Sequence, residues 1–271
     1  MGFRVKYDPS IFNKYWSMAG HDKERAAQIN RMFADKEVKA VFCAQAGYGS
    51  IRVIPYLNKR IIRRNPKIFI GYSDITILLY YLHKISRMVV FHGPVVSEEL
   101  SDINNISLDY LTTAITQPKP LGSMQFSSMR TLKPGIARGV LVGGNMSMMI
   151  SAIGTPYDMN TENKILFLEE IDEDLEVIDN YIMHLKMAGK FRKVKGIVFG
   201  RMIDCFDSSE HKYSIGEVLR DSFKGINIPI IYGFPSGHRT KEDINIALPL
   251  GVSVTLDAER PALVINEAAV R

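Results

Sequence analysis

Along the chain, short apolar runs rich in β-branched and aromatic residues alternate with stretches whose apolar positions recur every three to four residues. Residues 38–44, 68–71, 88–91, 165–168, 196–200 and 229–232 read as buried strands. Residues 22–34, 75–84, 175–188 and 215–223 read as helices, the first with Asp22 as its N-cap. Strands that alternate with helices predict an α/β fold with a largely parallel sheet. Residues 116–134 break the pattern with three prolines, a glycine and several serines. They are expected to separate an N-terminal domain, residues 1–117, from a C-terminal domain, residues 137–271, with the linker over 118–136. Beyond them, Gly139 to Asn145 begins a new strand and turn, and residues 252–256 and 262–265 read as a hairpin. The opening residues, Met1 to Tyr7, look like the second strand of an α/β domain rather than its first.

One stretch carries specific chemistry. Gly71-Tyr72-Ser73-Asp74-Ile75-Thr76 joins the strand at 68–71 to the apolar run 77–82, so Ser73 sits on a sharp strand-to-helix turn beside helix N-terminal amides. That is where a hydrolase carries a nucleophile, although Ile75 stands where the second glycine of Gly-x-Ser-x-Gly would be. A serine nucleophile needs a base and a group to orient it. Of six histidines, His83 and His184 lie inside helical patterns, and His21 and His211 in polar loops. His92 ends a strand and is the runner-up. His238 closes the loop Gly233-Phe234-Pro235-Ser236-Gly237 at a strand's carboxyl end, the edge at which α/β sheets gather their sites, and is the preferred base. For the acid, Glu169 continues the apolar run 165–168, whereas Glu170, Asp172, Glu173 and Asp174 read as a solvated acidic stretch favoured by a helix start. The turn Ala44-Gln45-Ala46-Gly47-Tyr48-Gly49-Ser50 lacks the P-loop ending but would suit an oxyanion, with the amides of Gly47 and Asp74 as donors.

Composition narrows the field without adding to it. The chain has 271 residues, 46% hydrophobic and 23% charged, as befits a globular protein with a core. No apolar run reaches the roughly 18–20 residues that span a bilayer, and no export signal opens the chain, so a cytoplasmic protein without membrane contact is expected. Two distant cysteines, Cys43 and Cys205, suggest neither a disulfide nor a metal site. A net charge of +5 fits an anionic substrate at least as well as nucleic acid, and no nucleic-acid partner is expected. No metal or other cofactor is expected.

Taken together, several motifs resemble the LD-carboxypeptidases, the muramoyltetrapeptide carboxypeptidases whose serine peptidase family also includes microcin C immunity proteins. They are Ala19-Gly20-His21-Asp22 with Glu24-Arg25-Ala26-Ala27, the turn Ala44 to Ser50 with Arg52 and Pro55-Tyr56-Leu57, and Gly71 to Thr76. Also in family order are His92-Gly93-Pro94, Gly143-Gly144-Asn145, Gly154-Thr155-Pro156-Tyr157, Leu166-Phe167-Leu168-Glu169, and Gly233-Phe234-Pro235 with Gly237-His238. The resemblance implies a Rossmann-like or flavodoxin-like N-terminal domain, here lacking its first strand, and a β-rich α/β C-terminal domain. It implies a Ser73–Glu169–His238 triad at their junction, often in a homodimer, that removes the terminal D-alanine from murein tetrapeptides in cell-wall recycling. Gln45, Tyr72 and Asn145, in the same motifs, are expected to touch substrate. Gln45 and Ala46 depart from the family turn, which usually reads Ala-Arg-Gly-Gly-Tyr-Gly, and a fixed cation is thereby lost. A microcin C immunity-like amidase and a catalytically silent muropeptide-binding protein are the alternatives.

Overall fold

The computed structural model describes residues 2–97, 99–206, 213–239 and 243–271. His211 lies outside them. In chain order the strands are β1 (Ala40–Phe42), β2 (Ile68–Gly71), β3 (Val90–His92), β4 (Gly122–Met124), β5 (Arg130–Lys133), β6 (Ile136–Asn145), β7 (Lys164–Ile171), β8 (Gly196–Ile203), β9 (Ile230–Tyr232), β10 (Leu248–Leu250), β11 (Ser253–Asp257) and β12 (Ala262–Ile265). They form two sheets. One has four strands in the order β1-β2-β3-β10, and the other eight in the order β4-β12-β11-β6-β7-β8-β9-β5.

Each sheet has a parallel centre, as the alternation of strands and helices predicts. β1, β2 and β3 run parallel in the small sheet, and β6, β7, β8 and β9 in the large one. The centre of β7 is buried without a break from Ile165 to Glu170, which is the continuous burial that covering helices impose on a parallel strand. Antiparallel strands finish both edges of the large sheet and one edge of the small one, and β11 and β12 form the expected hairpin. The helices at Asp22–Ala34, Thr76–Ser86, Leu175–Met187 and Ile215–Ser222 fall where the apolar period places them.

Several expectations need correction. Residues 2–7 form neither strand nor helix, and Phe3, Val5 and Tyr7 are exposed. The helix Asp22–Ala34 begins at Asp22 rather than after it. His21 occupies the cap position without a side-chain bond, and the Asp22 carboxylate accepts instead from Arg25 and Arg52. The proline-rich stretch expected as a linker carries β4 and β5, which form the two edges of the large sheet. The prolines flank these two strands rather than enter them, and an edge tolerates strands this short where a sheet centre would not. β10 leaves the C-terminal half to pair antiparallel with β3 in the small sheet, Leu248 opposite His92. One hydrophobic cluster therefore runs from Phe33 and Phe69 to Val254 and Leu263.

The two halves approach closely at the end of β6. A β-carbon on Gly144, whose φ is +144°, would lie 2.6 Å from the Thr76 side chain. The Asn145 amide donates to Thr76 Oγ1 at 3.1 Å. Glycine at this position thus lets the large sheet reach the first turn of the helix that follows Ser73.

Candidate active site

The elbow is built locally. β2 delivers the chain to Ser73, which holds φ at +57°, a left-handed conformation unfavourable for any residue with a β-carbon. A 3-10 turn over Ser73–Ile75 then runs straight into the helix Thr76–Ser86. Ile77, Leu78, Leu79, Tyr81 and Leu82 are buried on that helix, so its start, and the strained residue before it, are held by the core. Asp74 is buried as well. Its carboxylate accepts the Ser50 amide at 2.8 Å, which pins the turn carrying Gly47 beside the elbow.

The other two groups come from the large sheet. Glu169 lies on β7 where the register with β8 slips, between Leu168 and Glu170, and its side chain is fully buried. His238 ends the loop after β9, and its side chain is 11% exposed. The ring makes two contacts: Nδ1 to Glu169 Oε2 at 2.7 Å, and Nε2 to Ser73 Oγ at 3.0 Å. Glu169 Oε2 also accepts the His238 backbone amide at 3.2 Å. Gly237, with φ at +114°, permits this. A β-carbon there would sit 2.7 Å from the same carboxylate oxygen.

Electrostatics assign the protons. Burial alone would push the Glu169 carboxyl up, but its hydrogen bonds to His238 and that residue's charge outweigh burial, and the net pKa is lowered. Glu169 is therefore ionised and can only accept, so His238 Nδ1 carries the proton and Nε2 is left to accept from the Ser73 hydroxyl. Burial pulls His238 down, and Glu169, with the charges of Glu170 and Glu99, more than offsets it. The ring's pKa is raised above the ordinary 6.5. A hydroxyl, a neutral imidazole nitrogen and a buried carboxylate in this line can pass a proton from Ser73 to His238 while Glu169 stabilises the imidazolium.

The remaining sequence candidates fall in different places. The Tyr72 ring is buried against His238, with centroids 4.8 Å apart. Gln45 is exposed on the glycine turn. Asn145 is committed to structure: its Oδ1 accepts from the Met148 amide to cap the helix Met146–Ser151, and its Nδ2 donates to Glu170 Oε1 at 2.7 Å. His92, the runner-up base, is fully buried, and neither of its ring nitrogens is hydrogen-bonded to Ser73. His83 is turned to the Met88 carbonyl, and His21 lies on Tyr15. Glu170, expected in a solvated acidic stretch, is buried. It accepts from Asn145 and the Ser147 amide, because a strand running on to Ile171 keeps it inside the sheet.

Sequence reasoning missed the support of the His238 loop. Asn245 Oδ1 accepts the Gly237 amide at 3.2 Å, and Asn245 Nδ2 donates to Glu99 Oε1 at 2.9 Å. Glu99 is buried, which pushes its pKa up against the opposing pull of Asn245 and Arg239. Arg239 Nε lies 3.6 Å from Glu99 Oε1, next in sequence to His238. A polar Asn245 inside the apolar run Ile244 to Leu248 is the signal that could have revealed it. Glu99, in a Ser-Glu-Glu-Leu sequence, offers none. Among the described residues no group of three or more His, Cys, Asp or Glu is placed to hold a metal ion, and no helix is long and apolar enough to cross a membrane.

The family model for the LD-carboxypeptidase N-terminal domain matches residues 1–93, and that for the C-terminal domain matches residues 138–256. The chain belongs to the LD-carboxypeptidase family. Ser73 falls in the span of the first LD-carboxypeptidase domain, and Glu169 and His238 in that of the second. The chain is 35% identical over 278 residues to a probable murein peptide carboxypeptidase of Bacillus subtilis (strain 168), covering all of this chain and 86% of that one. It is 27% identical to the microcin C7 self-immunity protein MccF of Escherichia coli, over 92% of this chain and 80% of that one. Among solved structures, the muramoyltetrapeptide carboxypeptidase from Oxalobacter formigenes superposes with a TM-score of 0.82 at 26% identity, covering 94% of this chain and 88% of that one. MccF in complex with glutamyl sulfamoyl guanosine shares the LD-carboxypeptidase fold, with a TM-score of 0.88 at 22% identity over 97% of this chain and 86% of that one.

Proposed function

We propose that this protein is a serine LD-carboxypeptidase that removes the terminal D-alanine from murein tetrapeptides. The observation that carries this reading is the hydrogen-bonded line from Ser73 through His238 to Glu169, at 3.0 and 2.7 Å. Ser73 Oγ attacks the scissile carbonyl carbon, and its proton moves to His238 Nε2. The amides of Gly47 and Asp74 receive the oxyanion. Collapse breaks the peptide bond, and His238 returns the proton to the departing D-alanine nitrogen. The ester left on Ser73 is hydrolysed by water, with His238 now acting as base, and Glu169 stays ionised throughout. The names of the B. subtilis and O. formigenes relatives support the substrate class.

The test is D-alanine release from a murein tetrapeptide, wild type beside Ser73→Ala. Release by the wild type, reduced at least about a thousandfold in a folded Ser73→Ala protein, is the expected result. A folded wild type that releases nothing, but cleaves an aminoacyl-nucleotide conjugate, would replace this reading with the amidase. Binding of the tetrapeptide without cleavage of either would replace it with the silent binding protein.

A further inference from the structure

His92 ends β3 behind the Ser73–His238–Glu169 line, and the chemistry so far makes no use of it. Its side chain is fully buried, and neither ring nitrogen has a hydrogen-bond partner among the described residues. The ring meets Phe167 edge-on at 5.0 Å and Tyr72 at 6.0 Å, and Tyr72 in turn lies against His238. Phe167 stands two residues before Glu169 on β7, so His92 packs against the face from which Glu169 projects. Among the described residues Glu169 Oε1 is buried and unpartnered as well, while Oε2 takes both bonds from His238. A buried donor and a buried acceptor left unmatched each cost about 1–3 kcal/mol, and folds rarely keep such groups without a use for them. Burial drives the His92 pKa down to about 4, with Glu169 pulling it up and His238 pushing it further down. His92 is therefore neutral wherever His238 titrates, and what it offers is an N–H dipole rather than a charge.

We propose that His92 is a positioning residue for the triad, whose N–H dipole steadies the free Oε1 of Glu169 and so tunes the basicity of His238. This rests on the peptidase reading of the site. The dipole draws negative charge toward Oε1 and away from the oxygen facing His238, in an interior where such interactions are weakly screened. His92 gains and loses no proton. The transferred proton still travels from Ser73 to His238 and on to the leaving nitrogen. Three groups face it: Glu169 from β7, Tyr72 from the turn after β2, and His238 from the loop after β9. Glu170 and Glu99 also act on His238 and are unchanged in the variants below.

The experiment compares His92→Phe and His92→Gln with wild type. Phenylalanine fits among Phe167 and Tyr72 and removes the unpaired nitrogens, so His92→Phe is expected to fold and to melt at a higher temperature. Its kcat should fall about tenfold with KM little changed, because a Glu169 carboxylate no longer steadied at Oε1 holds the imidazole less firmly against the Ser73 hydroxyl. The acid limb of kcat/KM should move to higher pH. Gln, which keeps an N–H donor, should restore most of kcat. A uniform loss at every pH without rescue by Gln, or no loss at all, would reduce His92 to packing and overturn the proposal. A readout independent of turnover separates this from failure of the peptidase reading. The His238 ring is titrated by NMR in Ser73→Ala, with and without His92→Phe. An unmoved pKa sinks the His92 proposal even if Ser73 is the nucleophile, whereas undiminished D-alanine release by Ser73→Ala sinks the peptidase reading whatever His92 does.

Discussion

The two segments that meet in the site are built on opposite plans. The Ser73 elbow is local: a four-residue strand, a 3-10 turn and an apolar helix follow one another within Ile68–Ser86, and the strained φ of Ser73 is held by the helix beside it. The His238 loop has no regular structure of its own. It is held by Glu169, 69 positions away, by Asn245 across a gap of eight, and through Asn245 by Glu99, 146 positions from it. The Ser73 hydroxyl is thus set by neighbours in sequence, while the imidazole bonded to it is placed by long-range polar bonds in a buried environment. Such bonds are costly to break, because the partner left behind stays buried and unpaired.

The largest blow to the loop side is Glu169→Gln. With the carboxylate gone, the amide no longer requires a proton on His238 Nδ1 and the wrong tautomer becomes available. We expect kcat/KM to fall about 10⁴-fold with the fold intact by circular dichroism. Gly237→Ala comes next, since its β-carbon would crowd Glu169 Oε2 and the residue would be forced to φ +114°. A loss of about 10²-fold in kcat/KM is expected from an imidazole displaced by roughly an ångström. Activity like that of wild type in this variant would show that the loop is less constrained than the elbow requires.

Asn245→Ala tests the long-range bonds directly. It strips a partner from Glu99 and from the Gly237 amide and should cost about 2–3 kcal/mol in a denaturant titration. A matching change on the elbow side, Asp74→Ala, removes one bond, to the Ser50 amide, and should cost less, about 1.5 kcal/mol. Reversed magnitudes would undo the contrast between local and long-range construction.

The smallest effect is in pH dependence. His238 has a raised pKa, so kcat/KM should fall as pH drops through a midpoint above 6.5, where the ring gains a proton and ceases to be a base. Stability runs the other way. The contribution of His238 to folding is complete below its unfolded value of 6.5 and is lost as pH rises through its raised folded value. That of Glu169, whose folded pKa is lowered, is complete above 4.5 and lost as pH falls through the folded value. The pair therefore stabilises most between about 4.5 and 6.5, below the range of full activity. Comparing melting curves of wild type and Glu169→Gln across that range checks the sign.

Much of this was legible in the residues. The bounds of β2 and of the helix Asp22–Ala34 follow from apolar periodicity, because an element that buries one face or both must repeat its apolar positions. Ser73 was legible because a strand, a turn and an apolar helix in succession leave few geometries for the residue between them. Glu170 was misread because an acidic side chain next to acids reads as solvated, and only its bonds to Asn145 and Ser147 make burial tolerable. β4 and β5 hid in a proline-rich stretch because an edge strand of three or four residues needs little apolar character.

By itself the sequence determined the α/β alternation and the strand–turn–helix elbow at Ser73, since each depends on residues close together in the chain, and it put forward Glu169 and His238 as candidates at strand ends without fixing where they lie in space. The tertiary structure alone decided that β10 crosses to pair with β3, that Glu99 and Asn245 support the His238 loop, and that His92 lies buried against Phe167 and Tyr72. Those outcomes turn on which distant surfaces exclude water from one another. Burial sets the worth of each charge and hydrogen bond, and no local pattern of residues specifies it.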